Sequence, residues 1–590
     1  MIFGKHINKY YIRHLPILLL GILSLLLVDF MQLKIPELYR MIINGIGEGE
    51  VELRGKTVPF DMNFLLDEIC LPMLFITLSM AIGRFLWRIC FFGSAIKVET
   101  SLRHEMFDRS KDLSEQFYQR NKVGNMMSLY TNDLETVNEC FGDGVLMFFD
   151  ALLLGSLAII KMAMMNRVLT LLTLIPMIFL FIIGTVVGKH MMDKWEKRQE
   201  AFSNLSDFTQ ENFSGIAVVK AFVKEFRELW AFKKLNRDNE EANVSFTKTS
   251  TLLHISVTLF VESVICIILG YGGYLVHEDV FDAGQLIEFI TYFTSVVWPV
   301  MAISQLIDMS SRGKASLKRI SDLLDTEVDV KDREGVYDID TVRGDIEFKN
   351  LTFRYPDADY DALSGVSFKI NAGENVGIIG KTGSGKTTLV DLILRTYNVE
   401  DGALFIDGHD VNDIPIRTVR NYSAYVPQDN FLFSDTIENN IAFATDSGTL
   451  EDVRRAAVLS DVDGNISEFS EGYATVLGER GVTVSGGQKQ RISIARALMK
   501  NASILILDDS VSAVDTATEE VIINNLRRER LGKTTILIAH RISTVKRMDK
   551  VIYIDDGQVK AVGTHDELVS SCAEYNNMVE LQKLDEEREG

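Results

Sequence analysis

NVGIIGKTGSGKTTLVDLILR, residues 375–395, joins an apolar run, a glycine-rich turn and a second apolar run with helical spacing. Asn375 to Ile379 is a strand-like run, and Leu389 to Arg395 a helix-like one. Between them, Gly380-Lys381-Thr382-Gly383-Ser384-Gly385-Lys386-Thr387 matches the phosphate-binding loop, in the strand–loop–helix context that loop requires. The glycines leave backbone N–H groups free to wrap phosphates, and the helix turns its positive end toward them. Lys386 is expected to reach the β and γ phosphates of a nucleotide and the Thr387 hydroxyl a magnesium ion, with Thr388 completing the contacts of this segment.

Further along, the apolar run Ser503 to Leu507 ends in Asp508-Asp509, which places a carboxylate at the carboxyl end of a buried strand, where α/β sheets bind ligands. Asp508 is expected to hold magnesium, directly or through water. Val484-Ser485-Gly486-Gly487-Gln488 precedes the basic, helix-like Lys489 to Arg496 and forms a second cradle for an anion. Strand-like and helix-like segments alternate from Asp345 onward, as in an α/β domain. Upstream, TEVDVKDREGVYDIDTVR, residues 326–343, is acidic and poor in large apolar residues, and reads as a linker. The expected division is therefore 1–325, 326–343 and 344–590.

The first part has a different character. Six runs are long and apolar enough for a bilayer: Leu15 to Ile35, Ile69 to Phe92, Gly144 to Met164, Val168 to Gly188, Leu252 to Val276 and Leu286 to Ile307. The first continues without a small-residue cleavage site, so it reads as a span rather than a signal peptide. Lys5, Lys9 and Arg13 precede it, and Lys97, Arg103, Arg109, Lys111, Arg120 and Lys122 follow the second span, whereas the opposite loops hold only Arg54, Lys56 and Arg167. That bias puts both termini in the cytoplasm of a multi-pass cell-membrane protein. The stretches Lys97 to Asp143 and Lys189 to Thr251 read as helices continuing beyond the bilayer, with turns near Phe117 to Val123 and Asn212 to Val218. Asp29, Arg84, Arg88, Lys161 and Glu262 lie in or near spans; they either line a solvated cavity or form ion pairs and snorkel. Pro176 and Pro299 are expected kink sites.

Lys and Arg number 61 against 82 Asp and Glu, a net charge of −21 that argues against a nucleic-acid partner. The five cysteines are scattered with no CxxC pair, which suggests neither a disulfide framework nor a zinc site.

Taken in order, these motifs resemble the ATP-binding cassette exporters in which membrane domain and cassette share one chain, and the resemblance covers nearly the whole length. It implies an all-α six-helix transmembrane domain followed by an α/β P-loop ATPase domain, with ATP and Mg2+ as cofactors. It further implies that Tyr355 stacks on adenine and that Gln428, in Tyr425-Val-Pro-Gln-Asp, senses magnesium and contacts the membrane domain. Ser510 to Asp515 looks like the dimer-facing loop, His540 like the switch histidine, and Gly563 to Leu568 like a frequent closing signature. In this family two cassettes close head to tail, so Ser485, Gly486, Gly487 and Gln488 serve the ATP held by the partner.

One position departs from the family pattern. Glutamate ordinarily follows the magnesium aspartate and polarises the attacking water, whereas here Asp509 stands there. Val484 also replaces a usual leucine. An impaired base beside an intact Ser485 to Gln488 loop points to one half of an asymmetric heterodimer, with a homodimer the alternative. The expected function is ATP-driven export of a small hydrophobic or amphiphilic substrate, drug or lipid, from contact with membrane lipid. The rival is an ATP-binding regulatory or channel-associated protein with little turnover.

Overall fold

The computed structural model describes residues 2–53, 56–478, 481, 483–512 and 514–589; within its helices the side chains at 180, 181, 183–189, 304 and 585–589 lie outside the description. Contacts divide the chain into two units, Met1–Lys111 with Asn121–Thr326, and Asp112–Arg120 with Glu327–Gly590.

Six long helices build the first unit: α1 (Asn8–Gln32), α2 (Leu71–Asp112), α3 (Leu134–Met165), α4 (Arg167–Ser214), α5 (Glu225–His277) and α6 (Ala283–Asp325). The 42 residues of α2 span about 60 Å at 1.5 Å per residue, about twice the thickness of a bilayer's hydrocarbon core. Polar extensions therefore belong to the same helices as the apolar runs. The turn between α3 and α4 is a single capping residue, Asn166, whose side chain accepts from the N–H groups of Val168 and Leu169 at 3.0 Å each. Asp282 and Gln285 form a reciprocal capping box at the start of α6. Pro176 and Pro299 lie inside α4 and α6, each of which runs through its proline as one helix.

Five helical segments among the described residues are long and apolar enough to cross a membrane: Asn8–Glu48, Met62–Asp112, Val123–Met165, Glu225–His277 and Ala283–Asp325. The fourth expected span, Val168 to Gly188, lies in α4, where Arg167–Phe179 is a shorter apolar helix and most of the remaining side chains fall outside the described residues. Inside the unit, Phe289, Tyr292 and Phe293 of α6 pack with Leu154, Ala158 and Met162 of α3 and with Val264 and Ile268 of α5. Apolar side chains such as Leu23, Ile82, Phe85, Leu171 and Leu259 point outward, the reverse of a soluble surface. Three of the intramembrane charges take one or other of the expected roles, and Arg88 takes neither. Lys161 pairs with Glu37 at 2.6 Å, and Arg88 lies 5.4 Å from the Trp87 ring, whereas Asp29 and Arg84 line a cavity. Among the cysteines, all free thiols, Cys90 and Cys140 are buried.

In the second unit the strands are β1 (Ile346–Phe353), β2 (Leu363–Ile370), β3 (Asn375–Gly380), β4 (Leu404–Ile406), β5 (His409–Asp410), β6 (Ser423–Val426), β7 (Ile504–Asp508), β8 (Thr534–Ala539), β9 (Lys550–Asp555) and β10 (Gln558–Gly563). One sheet runs β10-β9-β3-β8-β7-β6, parallel except for the β9–β10 pair; a second, antiparallel sheet runs β2-β1-β4-β5. The burial follows composition: β7 and β8 are buried at every residue, as parallel strands covered on both faces must be, and edge strand β10 alternates.

Residues 326–343, expected as a linker, contain neither helix nor strand, and fasten partly onto the second unit. Arg333 pairs with Asp401 at 3.0 Å and also with Asp413, and the Tyr337 hydroxyl meets His409 Nδ1 at 2.7 Å. The first expected turn, Phe117 to Val123, belongs to this unit only as far as Arg120. Its short helix Glu115–Arg120 directs Arg120 onto both oxygens of Asp357, at 2.7 and 2.6 Å, and Gln119 accepts from the Tyr397 hydroxyl at 2.9 Å. The second turn leads into the helix Ile216–Ala221 of the first unit, with Phe213, Val218 and Phe222 exposed.

Candidate functional site

Gly380 ends β3, and no larger residue fits there: a Cβ would stand 2.0 Å from the Ile554 carbonyl oxygen and 2.8 Å from Ser384 Oγ. Gly385, at φ 95°, is also confined, since a Cβ there would meet the Ala362 carbonyl oxygen at 2.8 Å. The loop then passes into the helix α7 (Lys386–Ile393). Lys386 is only 6% exposed, and its Nζ donates across the loop to the carbonyls of Gly380 at 2.9 Å and Lys381 at 2.7 Å. Lys381 points away, to Asp555 at 3.0 Å. Gly380→Ala is expected to cost about 1–3 kcal/mol through this overpacking. The checks are a lower thermal midpoint without nucleotide and loss of the rise that bound ATP produces.

Register lines up the other residues. Ile538 of β8 pairs with both Ile378 of β3 and Asp508 of β7, and Val426 of β6 pairs with Leu507. The carboxyl ends of β3, β8, β7 and β6 thus carry, side by side, the loop at Gly380, His540, Asp508 with Asp509, and the segment leading to exposed Gln428. Asp508 is 2% exposed, and its Oδ2 has no hydrogen-bond partner among the described residues. Burial raises its pKa, with Asp509 adding to the effect and the Thr387 hydroxyl, Lys386 and His540 opposing it. Lys386 is shifted the opposite way, its pKa lowered by burial against the pull of Asp508 and Asp509. A buried, unpaired carboxylate oxygen beside a threonine hydroxyl is a donor set suited to a hard divalent cation.

Asp509 has a left-handed backbone, φ 46°, held on both sides. Its N–H donates to Ile538 O at 3.0 Å, and its carbonyl accepts from Ser512 Oγ at 2.8 Å and Gln490 Nε2 at 3.3 Å. Aspartate tolerates this region better than longer side chains do.

Ser485 to Gln488 open the helix α8 (Gly486–Met499) as a capping box: Gln488 N–H donates to Ser485 Oγ at 3.3 Å, and Ser485 N–H to Gln488 Oε1 at 2.9 Å. Ile492 and Ala495 of α8 belong to a separate apolar cluster with Leu432, Ile441, Val453 and Leu477. The loop thus opens a helix that packs on this helical lobe through one set of side chains and on the large sheet through Ile494 and Ala497.

The second unit carries a phosphate loop at Lys386, an aspartate at the end of the adjacent strands and a separate serine-glycine loop, all preceded by long apolar helices. Family models agree: residues 18–300 match the ABC transporter transmembrane region and residues 363–512 the ABC transporter. The probable multidrug resistance ABC transporter ATP-binding/permease protein YheI of Bacillus subtilis (strain 168) is 34% identical over 588 residues, covering 100% of this chain and 98% of that protein. The chain belongs to the ABC transporters. The multidrug resistance-like ATP-binding protein MdlA of Escherichia coli (strain K12) is 33% identical to this ABC transporter, over 96% of this chain and 94% of MdlA. A solved structure of a bacterial Atm1-family ABC exporter with ATP bound superposes with a TM-score of 0.76 at 25% identity, covering 98% of each chain. The ABC transporter thus carries its membrane region and its ATPase domain on one chain.

Tyr355, expected beneath adenine, is half-buried, its ring set edge-on against Phe353 and Tyr397 and its hydroxyl bonded to Thr388 Oγ1 at 2.9 Å and Asp391 at 3.3 Å. Burial, with Glu115 adding to it and the Tyr355 hydroxyl opposing, raises the Asp391 pKa from 3.8 to about 7. The folded transporter therefore keeps a proton that the unfolded chain releases, so stability falls as pH rises from about 4 to about 7 and levels off above. Asp391→Asn, which stays neutral, is expected to stabilise the cassette by on the order of 2 kcal/mol at pH 8 and by almost nothing at pH 4. Thermal midpoints at the two pH values check this.

Two residues near His540 carry no sequence signal. The Gln582 side chain brackets the His540 segment, donating to His540 O and accepting from Ile542 N–H, both at 2.7 Å. Glu519, 4% exposed, bonds Thr544 beside the same segment. Gln582 lies 42 residues after His540, and no spacing rule joins them.

Proposed function

We propose that this chain is one half of an ATP-driven exporter of hydrophobic or amphiphilic compounds, in which ATP held at its phosphate loop closes two cassettes head to tail. The row of strand ends that sets Lys386, His540 and Asp508 side by side carries the reading. Backbone N–H groups from Gly380 to Thr388 and the Lys386 ammonium would cradle the triphosphate, and Tyr355 would swing its ring onto adenine. Magnesium would sit on Thr387 and Asp508 with Gln428 nearby, neutralising phosphate charge. The kinship with YheI and MdlA, both named for multidrug resistance, favours a hydrophobic cargo.

Asp509 is one methylene shorter than the glutamate of the family pattern, a withdrawal of roughly 1.5 Å. Misplacement of about 1 Å is enough to cost on the order of 10²-fold in rate, so this chain's own site would hold ATP and cleave it slowly. Ser485 to Gln488 would complete the partner's site, which makes a heterodimer the preferred assembly. The test reconstitutes the chain in lipid, alone and with candidate half-transporters, and measures ATPase and ATP-driven dye uptake into inside-out vesicles. Uptake only with a partner supports the heterodimer. Ordinary turnover near 10 per second by the chain alone would sink the slow-site reading. Tight ATP binding with no uptake in any pairing would favour a regulatory role.

A further inference from the structure

A cavity of about 410 Å³ opens among α1, α2, α3 and α6, and its chemistry is unlike the rest of the bundle. Asp29 of α1 and Asp150 of α3 face it, with Arg84 and Trp87 of α2, Trp298 of α6 and Gln32. Asp29 is 1% exposed, and its Oδ2 has no hydrogen-bond partner among the described residues. A carboxylate so placed is costly unless something pairs with it. Arg84 does not settle the account: its guanidinium reaches Gln32 Oε1 at 3.5 Å, and it is one cationic group facing two carboxyl groups. Asp150 accepts from Trp298 Nε1 at 2.9 Å, so the indole is anchored by its edge beside the carboxylate. Trp87 Nε1 is buried without a hydrogen-bond partner among the described residues.

The geometry points to a site for a monovalent organic cation with an aromatic or aliphatic body, an inference that rests on the export reading and names its substrate class. A cation next to Asp29 and Asp150 would give the second carboxyl group a counter-ion, and indole rings attract cations as well as apolar surface. A volume in the range of small-molecule pockets exceeds what a bare ion needs. Nor do three carboxylate, imidazole or thiol groups gather as a metal site among the described residues. The ammonium of a lipid headgroup shares this chemistry with a free amphiphilic amine.

Tetraphenylphosphonium and tetraphenylborate, nearly identical in shape and opposite in charge, provide the test. Saturable binding of each is measured on the full chain in lipid nanodiscs, with empty discs of the same lipid subtracted. The wild-type protein is expected to bind the cation at least about tenfold more tightly than the anion. Asp29→Asn and Asp150→Asn are each expected to weaken cation binding about tenfold, and Arg84→Gln to strengthen it. A gain in Arg84→Gln cannot come from misfolding. Weaker phosphonium binding in phosphatidylcholine than in phosphatidylglycerol discs would identify the lipid headgroup as a natural occupant of the same cation site. Equal affinity for both probes, or a loss in Arg84→Gln, overturns the inference. Export of a neutral dye by a protein without charge preference would overturn it while leaving the export reading intact; no export of any dye would overturn that reading itself.

Discussion

Lys386→Ala is expected to lower ATP turnover about 10²- to 10³-fold, the usual effect of removing a group aimed at charge that develops in the transition state. Two features make the loss large. The ammonium already lies inside the loop, bonded to the carbonyls of Gly380 and Lys381, so it is positioned before any nucleotide arrives. Burial lowers its pKa, so the cation is poorly solvated within the loop and gains most from an anionic ligand. ATP affinity should fall with the rate, and the two carbonyls should lose their donors. Equilibrium binding of a fluorescent ATP analogue and single-turnover phosphate release at this chain's own site, with the partner's phosphate-loop lysine replaced by alanine, measure both effects. Turnover within a factor of three of wild type would place the phosphates elsewhere.

Asp509→Glu is expected to raise turnover at this chain's own site by on the order of 10²-fold, by returning the carboxylate about 1.5 Å toward the water it must polarise. Single-turnover hydrolysis, with the partner's phosphate-loop lysine replaced by alanine, isolates that site. The same change should destabilise the cassette, because position 509 has φ 46° and glutamate lacks the tolerance of aspartate for the left-handed region. That cost should be about 1 kcal/mol and should appear as a lower thermal midpoint. A faster but less stable protein is a joint outcome that a mere repacking of the loop would not produce. No gain in rate would mean that Asp509 is not the limiting carboxylate.

The parts legible in the sequence were those in which composition acts locally. NVGIIG reads as strand-like because its apolar residues follow one another without interruption after Asn375, and it forms β3. The glycines of the loop are explained by contacts as close as the 2.0 Å between a Cβ at Gly380 and Ile554 O. The apolar runs likewise foretold long helices, since a bilayer-length stretch has few other conformations available. Contacts between distant segments left no such trace. Gln582 at the His540 backbone and Gln119 beneath Tyr397 are ordinary exposed-looking glutamines in sequence, and only the fold brings them to their partners. Asp29 and Arg84 were visible as charges within spans. Which of the two expected roles each takes depends on how four helices meet.

The helix Glu115–Arg120 carries a consequence for how such proteins are exchanged and recombined. The second unit is discontinuous: 112–120 belong to it as much as 327–590 do. An ATPase half excised at Glu327 would lack the segment that meets Asp357 and Tyr397, and a foreign half grafted there would receive the resident helix in place of its own. The inheritable module is two pieces of gene, and a working chimaera must carry both across together.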